Sequence, residues 1–591
     1  MKKTILYAAF LLAMAGTTLS SCEDMFGGFL DKQPSNELTE EQVFSEWKTT
    51  MQFHFDTYNF LRHGACRINS SWMDAATDLA ETSYASGGVR TSFNIGNYYA
   101  NSGASELVDT WELYYRGIRK CNMILERIDN VPKATDDSQE KYETDKKNYK
   151  AEAHFLRAYF YWEMFLRYGP VPIVKEVLDP DGDLLRNYTT RPTLKEFVVD
   201  FVLEELKQCE SGLMDKETSA GAGNQGRINQ PMARALYSRI MLYMASERFS
   251  QASGITWSQA ATAAKGFIDT YGALYGLYTT DTDVVTRYTN AILKNAHDGK
   301  NNEVIFWRND LRIDFGFIYN DTPVGEGGNG GLCPSQNLVD MYDMANGTSP
   351  FSRYDDTGAP VYSIANMPTF NAASGYNDND PYNGRDPRLK ATVLYNGVKW
   401  GNGTINVLPG QRDNPVGNAN ATPTGYYVRK YIPENILDDN HTGINYRNWI
   451  IIRYAEILLN YAEALNESGE GTREEVLNIL QPIRDRAGIT AKLTARIDLQ
   501  TKEERRNFIR KERTVELAFE DHRAWDVRRW NVAEEALARP IYGMSITQSN
   551  GSLVYTRKVS QKRVFTEKMY LYPIPEGEVW KTSIDNNPGW N

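Results

Sequence analysis

Histidine and cysteine are scarce in this chain, with six and five copies respectively in 591 residues. His54, His63, His154, His297, His441 and His522 are scattered, and no HExxH motif pairs any two of them. Cys66, Cys121, Cys209 and Cys333 stand far apart without a CxxC, which argues against a zinc site. An excess of positive charge is also missing. The 65 Lys and Arg face 76 Asp and Glu, a net charge of −11, whereas a general nucleic-acid binder needs a basic face. Long apolar runs are absent beyond the N-terminus, which excludes a multi-pass membrane protein. Neither GxSxG nor GxxxxGK(S/T) occurs, so two common catalytic signatures are lacking. Aromatics are plentiful, with 36 Tyr, 23 Phe and 12 Trp, enough core material to exclude a long disordered chain.

The single apolar run begins the chain. Lys2 and Lys3 precede Ile5 to Ala15, which is too short for a bilayer that needs roughly 20 residues. Leu19-Ser20-Ser21-Cys22 follows and resembles a bacterial lipobox. Residues 1–21 therefore read as a lipoprotein signal peptide, and Cys22 as the lipidated first residue of the mature protein. Each buried acyl CH₂ is worth about 0.8 kcal/mol, so two or three chains anchor a protein firmly. Residues 22–38 read as an extended tether. The remaining cysteines allow disulfides outside the cytoplasm, but sequence does not give their pairing.

From residue 39 onward helices dominate. Thr39-Glu40-Glu41-Gln42 is a capping box opening a helix to about Leu61. Apolar residues at helical spacing predict further helices over 105–129, 146–167, 193–209, 231–247, 258–270, 449–467, 472–486 and 502–530. Three of them share a template of Ala, a large residue at +4 and another residue at +7. It reads Ala151/Phe155/Ala158, Ala233/Tyr237/Ile240 and Ala455/Leu459/Ala462. Small residues at this spacing let a neighbouring helix approach closely, as in the second helix of a tetratricopeptide repeat. The spacing between copies is irregular, so the expectation is a degenerate repeat scaffold with large insertions. Generic helix packing is the competing reading.

Residues 316–448 differ, holding 17 of the 44 glycines with much Asn, Asp and Pro. An irregular stretch this long inside a folded protein is usually functional. Short strands are expected at Ala391–Tyr395 and Gly425–Ile432. The expected fold is all-α, mainly helical, with one domain over 39–591. Its parts are an N-terminal helical portion (39–315), the loop-rich portion (316–448) and C-terminal helices (449–591).

Gly325-Glu326-Gly327-Gly328-Asn329-Gly330 matches GxGxxG, but it lacks the flanking strand and helix and reads as a flexible loop. Asp179, Asp181 and Asp183 alternate as in a calcium loop. Leu184 and Thr190 stand where that loop wants Gly and Glu, so a solvated turn is expected and no cofactor is assigned. Glu456 and Glu463 read as ion-pair partners near Arg453. Glu512, Glu516, Glu520 and Asp526, alternating with Arg510, Arg513, Arg523 and Arg528, read as a structural charge network.

Loop aromatics remain. Flat rings stack on the C–H faces of sugars, while amides and carboxylates pair with hydroxyls. The candidate ligand-binding residues are Trp72, Asp78, Tyr98, Tyr99, Asn101, Trp307, Tyr319 and Trp400. For any one ring, packing of a long loop competes with this role.

Several motifs in order resemble the SusD/RagB family of Bacteroidota surface lipoproteins. They are Phe29-Leu30-Asp31-Lys32-Gln33-Pro34 after the acidic Glu23 and Asp24, Ala151 to Ala158 with Tyr168-Gly169-Pro170, and Asp386-Pro387-Arg388. Arg453-Tyr454-Ala455-Glu456, Ile483 to Gly488, the Glu512–Asp526 segment and the ending Asn587-Pro588-Gly589-Trp590 complete the match. The resemblance implies a helical fold with embedded tetratricopeptide-like pairs and a binding protein that is not an enzyme. It implies capture of oligo- or polysaccharide at the outer membrane, facing the cell exterior, as the lid of a SusC-type TonB-dependent transporter. No ligand contact can be carried over by motif. Two alternatives stand beside it: a surface glycoside hydrolase needing a carboxylate pair, and a RagB-like peptide-capture subunit.

Overall fold

Neighbouring helices pack in series. In chain order the helices that build the scaffold are α1 (Trp47–Asp56), α2 (Ser105–Arg127), α3 (Gln139–Tyr168), α4 (Leu203–Glu210), α5 (Gln230–Ala245), α6 (Trp257–Tyr271) and α7 (Val284–Leu293). They continue with α8 (Gln336–Met341), α9 (Tyr454–Ser468), α10 (Arg473–Arg486), α11 (Lys502–Glu516) and α12 (Arg523–Arg529). The computed structural model describes residues 38–590 except 62–63, 65–67, 69–70, 87, 101–104, 180–187, 222, 295–300, 311–320, 363–366 and 435–446. No helix among the described residues is long and apolar enough to cross a membrane.

The contacts run α2 to α3, α3 to α4, α4 to α5, α5 to α6, α6 to α9 and α9 to α10. The repeated template explains this order. Ala151, Phe155, Ala158, Ala233, Ile240, Ala455, Leu459 and Ala462 are all buried, while Tyr237 is half-buried. Residues 272–453 are inserted between α6 and α9, so the loop-rich segment is an excursion from a helical stack. Most of the buried apolar residues, from Trp47 to Trp590, form a single main cluster.

Local chemistry sets the helix ends. Thr39 with Gln42 and Thr472 with Glu475 make reciprocal capping boxes. Gly169 ends α3 at φ 71°, a left-handed value that favours glycine, and donates its N–H to the Phe165 carbonyl.

Some expected boundaries differ. The first helix breaks after Val43, resumes as α1 and finishes in a tight turn at Thr57–Phe60. The 502–530 stretch is two helices, because Phe519 (φ 65°) and Asp521 (φ 61°) turn the chain left-handed between α11 and α12. The expected helix at 449 begins instead as a strand. Its Trp449-Ile450-Ile451-Ile452 run is rich in β-branched residues, which favour a pleated surface.

The strands of three or more residues among the described residues are β1 (Ala80–Thr82), β2 (Val304–Asp310), β3 (Leu332–Pro334), β4 (Arg447–Arg453), β5 (Ile541–Ser549) and β6 (Ser552–Gln561). All pairings among them are antiparallel: β1 with β3, β2 with β4, and β5 with β6 as a hairpin. Two short strands expected in the loop-rich part form and pair, Val393 opposite Val428 and Leu394 opposite Tyr427. The GxGxxG segment is a loop, with Gly327 (φ 89°) and Gly330 (φ 76°) left-handed.

The charge network lies inside the protein. Arg453 bonds Glu303, Glu516 and Glu520 at 2.6–2.7 Å, and Arg388 bonds Asp386, Glu512 and Glu516 at 2.6–3.0 Å. Glu456 and Glu463 are ion-paired as expected but not with Arg453. Glu456 meets Arg239 at 2.5 Å, and Glu463 meets Arg529 at 2.5 Å.

Candidate functional site

A cleft with two strongly exposed aromatic rings lies where the Tyr99 loop meets the C-terminal segment. Its volume is about 610 Å³, within the range of ligand pockets. Tyr99, Trp580 and Trp590 supply its rings, and Glu576, Asp585 and Asn586 supply polar groups. Tyr99 is 62% exposed and Trp580 is 76% exposed, values no core residue reaches.

Each wall has a local cause. Pro575 precedes a seven-residue helix, Glu576–Thr582, and Ser583 ends it in a left-handed turn at φ 57°. No residue of this helix is buried, so it lies on the surface and projects Trp580 outward. The Glu576 N–H donates to the Ala100 carbonyl (3.3 Å), which ties the helix to the residue after Tyr99. Asn586 accepts from the Ile574 N–H at 2.8 Å and so fixes the far wall. Beneath the cleft, Trp590 donates to the Lys568 and Leu571 carbonyls at 2.8 and 3.0 Å. Its ring packs on Tyr98 at 5.1 Å, and Tyr98 stacks on Phe93 at 4.8 Å with the planes 6° apart. Burial pushes the Tyr98 phenol well above its ordinary value. Tyr98 is thus the support under the cleft, and Tyr99 is the part of the wall that faces solvent.

Other expected contact residues lie elsewhere. Trp72 is fully buried, packs against Trp449 and Tyr431, and donates to Asp321 at 2.6 Å. Asp78 is buried in a two-bond ion pair with Arg523 at 2.7 and 2.8 Å. Trp400 is buried in a two-residue strand that pairs Lys399 with Thr404. Burial corrects these three from ligand contact to packing, because a ring or carboxylate already enclosed by protein has no face left for a sugar. For the same reason Tyr98 supports rather than contacts. Trp307 is half-buried on β2 opposite Ile450. Asn101, Tyr319 and Cys22 lie outside the described residues, as do Cys66, Asp181 and Asp183.

Sequence reasoning missed Trp580 and Trp590. In sequence Trp590 reads only as the end of the Asn587-Pro588-Gly589-Trp590 motif. Trp580 carried one usable signal, a lone aromatic in a short segment without any apolar stripe to bury it.

Beyond the cleft, no group of three or more His, Cys, Asp or Glu among the described residues is arranged to hold a metal. Cys121, Cys209 and Cys333 are free thiols, and burial pushes each above its ordinary value, Cys333 to about 12. On the other side of the Glu576–Thr582 helix runs a second groove of about 500 Å³ along α2, with Trp111, Tyr115, Arg116, Arg119 and Lys581 in its walls.

Comparison with known proteins matches this architecture. The SusD family profile covers residues 267–590, and a profile described as "Starch-binding associating with outer membrane" covers 28–242. SusD-like protein P38 of Formosa agariphila is 24% identical over 91% of this chain and 93% of its own length. A SusD-like protein of Bacteroides fragilis is 27% identical, with a TM-score of 0.74 over 94% of this chain and all of that one. A second B. fragilis structure, described as a SusD-like carbohydrate-binding protein, is 21% identical with a TM-score of 0.70, covering 91% of this chain and 99% of that one. A serial helical stack, matched by a family profile over more than half its length, places this chain in the SusD family.

Proposed function

We propose that this protein captures glycan at the outside of the outer membrane, with the Tyr99–Trp580 cleft as its contact surface. The observation that carries the reading is the pair of exposed rings facing a cleft with amide and carboxylate neighbours. A sugar ring lays its C–H face on Trp580 or Tyr99, and its hydroxyls bond Glu576, Asp585 and Asn586. Two relatives support it by description: one is a carbohydrate-binding protein and another a laminarin-binding protein. The outer-membrane wording of the matching profile supports the location.

The finer parts of the reading are the lipid anchor at Cys22, the outward orientation and the lid role on a SusC-type transporter. Anchoring in two dimensions raises local concentration, so a weak cleft suffices for capture. The reading includes no turnover. The carboxylates of the charge network are committed to buried guanidinium groups and do not line the cleft.

The test uses residues 23–591 with a panel of soluble glycans, by calorimetry and retarded gel migration, alongside a reducing-end assay. Binding that Tyr99→Ala and Trp580→Ala abolish, without new reducing ends, supports the reading. New reducing ends favour a hydrolase. Failure of every glycan moves the reading to peptide capture.

A further inference from the structure

We infer that the Tyr99–Trp580 cleft selects uncharged glycans and rejects anionic ones such as uronates and sulfated sugars. This rests on the glycan-capture reading and adds the charge class of the ligand.

Among the described residues, those lining the cleft include two carboxylates, Glu576 and Asp585, and no Lys, Arg or His. The cations nearby are turned to other tasks. Lys568 sits over the Trp590 ring at 4.3 Å and is not among the residues lining the cleft. Arg191 donates to the Tyr168 and Pro170 carbonyls, to Asn587 Oδ1 and, at 3.5 Å, to the Asp585 carbonyl; it holds the chain under the cleft and is the one committed guanidinium among these cations that feels the Asp585 charge. Lys581 belongs to the opposite face of the short helix, where it pairs with Glu578 at 2.7 Å.

The contrast with the second groove is sharp. That groove is walled by Arg116, Arg119 and Lys581 as well as Glu112, Glu176 and Glu578, so one short helix separates a mixed-charge surface from a purely acidic one. The whole chain, at −11, gives an anionic polymer no long-range attraction to offset this. Two carboxylates within about 8 Å of a bound uronate or sulfate, at a near-aqueous dielectric, weaken it roughly fivefold at low salt. Uncharged hydroxyls meet no such penalty and use the same carboxylates as hydrogen-bond acceptors.

The experiment measures binding of residues 23–591 to three uncharged polymers (laminarin, xyloglucan and yeast mannan) and three anionic ones (polygalacturonate, alginate and chondroitin sulfate), at 20 and 500 mM NaCl. At least one uncharged polymer is expected to bind, and every anionic one to bind about fivefold or more weakly at low salt. The double variant Glu576→Gln/Asp585→Asn weakens the hydroxyl contacts that both classes share, and is expected to raise the ratio of anionic to uncharged affinity about fivefold. Asp585 is exposed and Glu576 is half-buried on a surface helix, and an unchanged melting temperature of the double variant shows that the fold is kept. Salt is expected to narrow the gap between the two classes. An anionic polymer that binds more tightly than every uncharged one, and loses binding in Trp580→Ala, overturns this inference and leaves the capture reading standing. An anionic-to-uncharged affinity ratio unmoved by the double variant also overturns it. Failure of all six polymers overturns the capture reading and this inference with it.

Discussion

Glu463 is expected to hold the C-terminal helices onto α9. Arg529 donates to its two oxygens at 2.5 and 2.8 Å, and the Trp530 indole donates at 2.7 Å. The carboxyl is fully enclosed, and the Arg529 guanidinium holds it at about 2 against an ordinary 4.5, overcoming a desolvation cost that acts the other way. That displacement corresponds to about 3 kcal/mol of folding stability, in line with the cost of removing one partner of a buried pair. Glu463→Gln is therefore expected to destabilise the protein by about 3 kcal/mol at pH 7. The sign of the pH dependence follows from the lowered value. The stability is fully present above the unfolded pKa near 4.5 and is lost as pH falls through about 2. The gap between wild type and Glu463→Gln is thus constant from pH 8 to about 5 and closes below that. Thermal and urea unfolding of both proteins from pH 8 to 3 read it directly. A Glu463→Gln protein within about 0.5 kcal/mol of wild type at pH 7, or a gap that widens on acidification, refutes the reasoning.

Three other outcomes follow from the same structure. Trp580→Ala and Tyr99→Ala leave the melting temperature within about a degree, because both rings are exposed, whereas Trp590→Ala lowers it through lost packing and two lost hydrogen bonds; calorimetry separates them. Asp321 is pushed up to about 7 by burial, so the folded state holds its proton more tightly than the unfolded one, and its contribution to stability falls as pH rises from about 4 to 7 and is flat above. Comparing Asp321→Asn with wild type across that window is expected to show the wild-type advantage shrinking by up to about 4 kcal/mol. Ala455→Leu, at a buried position in α9, is expected to cost about 1–3 kcal/mol by overpacking, measured by denaturant unfolding.

Much of the scaffold was legible because helix burial leaves a periodic trace. The template of Ala, a large residue at +4 and another residue at +7 marks α3, α5 and α9, and the capping boxes at Thr39 and Thr472 mark two starts. The boundary before α9 was hard to read, because Ile450-Ile451-Ile452 continues the apolar pattern of the helix, and its β-branched bias settles into a strand by pairing with β2. The break between α11 and α12 depends on left-handed Phe519 and Asp521, residue types that do not announce such a turn.

The site was half legible. Composition located aromatic residues in loops but did not say which face solvent. Tyr98 and Tyr99 are adjacent, yet one stacks on Phe93 and the other stands free of the core. Trp72 and Trp400 looked equivalent to Tyr99 in sequence and are enclosed by residues distant in the chain, Trp72 by Asp321, Tyr431 and Trp449. Trp580 comes from the opposite end of the chain, and only the fold brings it to Tyr99.

The most direct test of the central claim is titration of residues 23–591 and of the Tyr99→Ala/Trp580→Ala double variant with one glycan that the wild type binds. The expected result is at least a tenfold loss of affinity, about 1.4 kcal/mol or more, with an unchanged melting temperature and no new reducing ends. Unchanged affinity in the double variant, or glycan cleavage by the wild type, contradicts the account.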